Sequence, residues 1–137
     1  MPSSNRVEVF GRFLHSFTLI DADACISLMS DDIKYITPCV PPPVARYAQG
    51  RDQVGEMFRM FFTRVAREYA FEDLQLYTIT DDPQLVAARA RINVVLRNSG
   101  HYSNECAYIG RIVNGRVSEF FEFFDTTRAA QALAGAA

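Results

Sequence analysis

The apolar residues of this chain change their period once, near Tyr69, and that change limits the folds open to it. Before it, apolar side chains recur mostly at helical spacing. After it, they alternate over four runs, 70–80, 84–97, 101–113 and 116–125. Alternation marks a half-buried strand, whereas recurrence at i, i+3 and i+4 marks an amphipathic helix. The runs are separated only by Asp81-Asp82-Pro83, Asn98-Ser99-Gly100 and Asn114-Gly115. Turns this short join antiparallel neighbours, and Asn-Gly between alternating runs is the strongest short hairpin signal.

In the first half, residues 5–20 predict a helix. Val7, Phe10, Leu14 and Phe17 form its apolar stripe, and Ser3 or Ser4 can cap it. Asp21-Ala22-Asp23 breaks the pattern and can cap a shorter helix over 22–29, with Cys25, Leu28 and Met29 on its inner side. Ser30-Asp31-Asp32 predicts a turn, and Ile33 to Thr37 predicts a strand that Pro38 ends. Pro41-Pro42-Pro43 lies in a loop over 38–49, long enough for a lid or a rim. Gly50-Arg51-Asp52 opens the clearest helix, with Asp52 as its N-cap. Its stripe runs through Val54, Met57, Phe58, Phe61, Phe62 and Val65. Thr126 to Leu133 predicts a short helix or frayed end, and Ala134 to Ala137 a flexible tail. The order α-α-β-α-β-β-β-β is that of an α+β layer fold. The 137 residues make one domain, 1–137, with its core over about 5–127.

Composition narrows the function classes. Apolar residues make up 49% and charged residues 22%, the balance of a folded globular chain. With a net charge of -2 there is no basic field for nucleic acid or anionic lipid, so neither is expected as a partner. No apolar stretch approaches the ~20 residues that span a bilayer. The N-terminus lacks the pattern of a signal peptide. Three cysteines without CxxC spacing, Cys25, Cys39 and Cys106, predict reduced thiols and a cytoplasmic location. With only His15 and His101, no HExxH pattern and no glycine-rich phosphate loop, neither a metal nor an organic cofactor is expected. Eleven Phe in so short a chain mean a thick core or an apolar pocket.

Four marks carry a resemblance to a known family. They are Ser30-Asp31-Asp32, then Tyr35-Ile36-Thr37-Pro38 followed by prolines and Gly50-Arg51-Asp52, then Asn114-Gly115-Arg116-Val117, and Phe121-Glu122-Phe123-Phe124-Asp125. In this order and spacing the chain resembles the nuclear transport factor two-like superfamily. The branch is that of ketosteroid isomerase, limonene-epoxide hydrolase and the SnoaL-like polyketide cyclases. The resemblance implies a cone-shaped, curved, mixed but mostly antiparallel sheet, with three helices of the N-terminal half covering its concave face. It also implies an enclosed pocket and a homodimer through the outer sheet face.

Glu122 is the most informative candidate. By alternation it shares a face with Phe120 and Phe124, and a carboxyl among phenyl rings is desolvated, which raises its pKa. That suits a proton shuttle near neutral pH. The resemblance places an acid-base carboxylate at this position in the phenazine-biosynthesis and epoxide-hydrolase relatives. The alternative is an outward-facing or arginine-paired glutamate. Tyr35 and Thr37 share a face of the first strand. The resemblance matches them to the hydrolase's water-orienting Tyr and Asn, Tyr35 being the better match; the alternative for Tyr35 is a packing tyrosine. The isomerase's general base would fall at Thr37 and its first-helix tyrosine at Phe13, so a true ketosteroid isomerase is not expected. Arg91-Ile92-Asn93 resembles the hydrolase's R-V-D, with Asn93 for the acid. On pattern alone, Ala90, Ile92, Val94 and Leu96 form the core-like face, which would turn Arg89, Arg91 and Asn93 outward. Asn104, Cys106 and Tyr108 form a third inward set. There Tyr108 is either an oxyanion donor or a packing residue, and Cys106 is small and buried. His15 either lines the pocket or sits on the helix surface.

These residues predict a cofactor-independent small-molecule enzyme. Glu122 would carry the proton, with Tyr35 and Tyr108 as hydrogen-bond donors. Phe13, Thr37, Phe58, Arg91, Asn93, Asn104, Phe120 and Phe124 complete the candidate wall. The ligand would be a small apolar carbonyl compound or epoxide, and the reaction an isomerisation, cyclisation, dehydration or epoxide opening. The other class left open is a non-catalytic ligand-binding or dimerisation module. Of the phenylalanines, Phe10, Phe17, Phe58, Phe61 and Phe62 are assigned mainly to the core, and Phe120 and Phe124 to the pocket.

Overall fold

A computed structural model describes the backbone of residues 2–134 and the side chains of residues 5–134. Two helices open it, α1 (Pro2–Thr18) and α2 (Ala22–Ser27). Strands β1 (Met29–Ile36) and β2 (Tyr47–Gln49) lead to α3 (Arg51–Met60) and a π-helical turn, Phe61–Val65. Four long strands follow: β3 (Ala66–Thr78), β4 (Leu85–Leu96), β5 (His101–Val113) and β6 (Arg116–Phe124). Helix α4 (Thr126–Leu133) closes the chain. The strands form one curved sheet in the order β2-β1-β6-β5-β4-β3, antiparallel throughout except for the parallel β1/β6 pair. This is the α+β architecture expected from the sequence. Among the described residues no helix is long and apolar enough to cross a membrane.

Local boundaries differ in instructive ways. α1 is already helical at Pro2, so Ser3 and Ser4 lie inside it rather than at its cap. Asp21 caps α2 as expected, accepting from the Ala24 N–H at 3.1 Å. Ser30-Asp31-Asp32 is not a turn but an irregular stretch of β1, where the pairing with β6 shifts register. The N-cap of α3 is Gly50, not Asp52. Its φ of 95° is a conformation that glycine adopts without a Cβ penalty. The end of the 38–49 loop forms the edge strand β2. Ala134 is tied to the Ala130 carbonyl at 3.1 Å; the rest of the expected flexible tail lies outside the described residues.

The core lies between α1 and the inner face of the sheet. Phe120 is fully buried at its centre, stacked between Tyr35 (centroids 5.8 Å apart) and Tyr108 (5.5 Å), with the edge of Phe13 against it at 5.0 Å. Burying one such ring contributes about 1.5–3 kcal/mol. The helix approaches closely because β5 carries Gly110 opposite Phe120; a Cβ there would collide with the Phe10 ring.

Candidate active site

Strand β6 aims the key side chain. Ile112 pairs with Val117, but Arg111 pairs with Glu119, so Ser118 is an extra residue on β6. Val117 and Phe120 are therefore both buried although three residues apart. From Phe120 the alternation runs inward through Glu122 and Phe124, and these two border a cavity of about 280 Å³. The other strands complete its floor with Tyr35, Tyr69, Ile92, Tyr102 and Cys106. Phe17 of α1, Met57 and Phe58 of α3, and Phe61 and Phe62 of the π-helical turn form its walls. Ala129 and Leu133 of α4 cover it. Among the described residues no Lys, Arg or His borders this space, and Glu122 is its one acid.

The Tyr35 hydroxyl donates to Glu122 Oε1 at 2.6 Å, a short hydrogen bond of the kind made to a charged acceptor. Burial raises the Glu122 carboxyl above its usual range, and the Tyr35 bond opposes that only in part. Burial, and then the nearby Glu122 charge, hold the Tyr35 and Tyr69 protons on well above pH 10. Burial likewise pushes Tyr102 up to about 12, against the pull of its hydrogen bond with Asn104. Cys106 is raised to about 12 by burial and then by Glu122, so its thiol is no nucleophile. The site thus holds one carboxyl of elevated proton affinity among neutral hydroxyls in an apolar space. Such a carboxylate can take a proton from a C–H beside a carbonyl, and a neutral hydroxyl can donate to the oxygen that gains charge.

Of the candidates from sequence, Glu122, Tyr35, Phe58 and Phe124 come together at the cavity. Tyr108 stands opposite Glu122 across β5/β6 but one layer behind the cavity lining. It is fully buried, and among the described residues its hydroxyl has no hydrogen-bond partner, with Tyr69 and Cys106 beside it. Phe13 and Phe120 are core residues, not lining ones, because α1 and β6 press them together. Thr37 is buried past the end of β1, away from the lining. Asn104 is buried beside Tyr102 and shapes the site indirectly. Arg91 and Asn93 occupy the outer sheet face, as the alternation of β4 requires. Arg91 pairs with Glu105 at 2.7 Å. Asn93 donates to Glu72 at 3.0 Å and accepts from Ser103 at 2.7 Å. The R-V-D resemblance therefore does not bring a second polar group to Glu122. His15 is exposed, and no residue of the 38–49 loop lines the cavity.

Tyr69, Tyr102 and the cover from α4 escaped the sequence analysis. Tyr102 had a signal, since the inward set of Asn104, Cys106 and Tyr108 extends back to it at the same period. Tyr69 had a weaker one, lying at the break in period.

A family model described as SnoaL-like domain matches residues 10–120. A comparison with curated protein sequences finds no match. Among solved structures, the chain is similar to a candidate isomerase from Bacillus subtilis. The TM-score is 0.88 at 12% identity, over 98% of this chain and 96% of that one. It is similar to a candidate polyketide cyclase from Xanthomonas campestris (TM-score 0.81, 10% identity, 97% and 99% covered). It also resembles an LEH-like epoxide hydrolase from M. tuberculosis (TM-score 0.71, 15% identity, 97% and 92% covered). At these identities the likeness is one of fold.

Proposed function

The chain belongs to the SnoaL-like domain family, and from that premise we propose that it is a cofactor-independent enzyme acting on a small, neutral, apolar carbonyl compound. Glu122 takes a proton from the carbon beside the carbonyl, the C–H electron pair passes into the enolate, and Glu122 returns the proton to the same or a conjugated carbon. The carrying observation is the Tyr35–Glu122 hydrogen bond inside a cavity that, among the described residues, no cation borders. Tyr35 holds one carboxylate oxygen and leaves the other for the substrate. Tyr69 and Tyr102, rather than Tyr108, are the other tyrosines at the lining. Isomerisation and aldol-type cyclisation both fit this chemistry. Epoxide hydrolysis fits less well, because Arg91 and Asn93 face away.

Deuterium uptake beside the carbonyl of 2-tetralone in D2O, followed by mass spectrometry, tests the reading. The protein is expected to accelerate uptake, and Glu122→Gln to lower the rate by about 100-fold or more. The rate should rise with pH through a Glu122 pKa above the usual carboxylate range. Binding of 2-tetralone with uptake no faster than in buffer would instead support a ligand-binding module. The chain would act as one domain, as a homodimer through the outer sheet face, where Phe121 and Phe123 stack at 6.4 Å and remain partly exposed. Three free thiols suit a reducing cytoplasm.

A further inference from the structure

Strand β5 turns Tyr102 and Asn104 to the same side, and Asn104 is only 1% exposed. Its Nδ2 donates to the Tyr102 hydroxyl oxygen at 2.7 Å and to the Asp125 carbonyl at 2.9 Å. Its Oδ1 accepts from the Asp125 N–H at 3.3 Å. A backbone N–H can only donate and a carbonyl can only accept, so Asp125 fixes which end of the amide is nitrogen. That nitrogen must donate to Tyr102, whose oxygen accepts. The hydroxyl therefore keeps its own proton free to give, and among the described residues no protein acceptor takes it. Tyr35 differs, because its proton is committed to Glu122.

The same clamp reaches the cover of the cavity. Asp125 caps α4 by accepting from the Arg128 N–H at 3.1 Å, and Arg128 Nε donates to the Ser103 carbonyl at 2.7 Å. Residues 102–104 of β5 thus hold both a cavity hydroxyl and the helix that sets Ala129 and Leu133 over it.

We propose that Asn104 is a positioning residue that presents the Tyr102 hydroxyl as donor to a carbonyl oxygen of the cavity ligand and ties this to the seating of α4. The proposal rests on the reading that the cavity takes a neutral carbonyl compound. NMR titration with carbonyl-13C-labelled 2-acetylnaphthalene tests it, with 2-ethylnaphthalene as the same shape lacking the acceptor. The ketone is expected to bind with its carbonyl resonance moved downfield. Tyr102→Phe should weaken it about tenfold and remove that displacement, while the hydrocarbon binds equally to both proteins. Unchanged ketone affinity and resonance in Tyr102→Phe would overturn the donor assignment and leave the cavity reading standing. Failure of both naphthalenes to bind the wild type would remove the cavity reading and the donor assignment together. Amide hydrogen exchange tests the link to α4 without ligand. Asn104→Ala should speed exchange over 126–133 about tenfold while β3 and β4 stay protected. Should that variant not fold, Arg128→Met, which cuts the other tie from β5 to α4 by removing the Ser103 contact, should speed it in the same direction. Exchange over 126–133 at the wild-type rate would overturn the link.

Discussion

Glu119 and Glu122 lie three residues apart on β6 and meet opposite fates. On the outer face, Glu119 accepts from Arg111 Nε at 3.0 Å, and Arg111 also reaches Asp82 at 3.1 Å. On the inner face, Glu122 has a phenol for a partner and, among the described residues, no cation. One carboxylate is neutralised where water is near. The other is desolvated where it can exchange a proton. A single extra residue decides which is which. Counting by twos from the buried Val117 would turn Glu119 and Phe121 inward and Phe120 and Glu122 outward. The bulge at Ser118 resets the count.

Inserting one alanine between Glu119 and Phe120 is the most severe way to break that contrast, because it undoes the count that the bulge sets. The strand must then either turn Phe120 outward or drop the bulge and bury Glu119. Expelling a fully buried aromatic ring costs on the order of 3–5 kcal/mol. Urea unfolding should show at least about 3 kcal/mol of lost stability, and any protein that remains folded should lose proton-exchange activity. Wild-type stability and activity in the insertion would show that the bulge does not aim Glu122.

Most of the sheet was legible in the sequence because alternation states directly which side chains share a face. Ala90, Ile92, Val94 and Leu96 are the inner set of β4, and the pattern was a better guide to Arg91 and Asn93 than the motif likeness. Glu122, Phe120 and Phe124 were also grouped correctly, since the bulge lies upstream of all three. The division of the phenylalanines was not legible. A helical stripe tells which side faces inward, but not whether that interior is filled or hollow. Phe58, Phe61 and Phe62 face the hollow, and Phe120, assigned to the pocket, fills the core. The placement of Phe61 and Phe62 also depends on a π-helical turn, which no regular period announces.

A milder probe sharpens the contrast through pH. Glu122 holds its proton more tightly folded than unfolded, so between about 4.5 and its raised folded pKa the native state binds more protons. Stability from this group is then present at low pH and is lost as pH rises through that window. Glu122→Gln removes the ionisation and should flatten this part of the profile, leaving the variant relatively more stable toward neutral pH. Unfolding midpoints from pH 4 to 8 for both proteins measure it. Parallel profiles would mean that Glu122 ionises in the folded protein as easily as in the unfolded chain.

The smallest effect belongs to the outer face. Arg91 and Glu105 meet at 2.7 Å, but their side chains are 42% and 71% exposed. Solvent screening at such a site leaves an ion pair worth roughly 0.2–1 kcal/mol. Glu105→Gln should therefore shift stability by no more than that, less still in high salt, and should leave proton exchange at the wild-type rate. The sheet backbone separates this pair from Glu122, so a side chain on one face has no direct route to the field on the other. A large fall in activity in Glu105→Gln would mean that the two faces are coupled and that Arg91 matters to the site after all. A small stability change with intact activity would place the chemistry on the inner face alone.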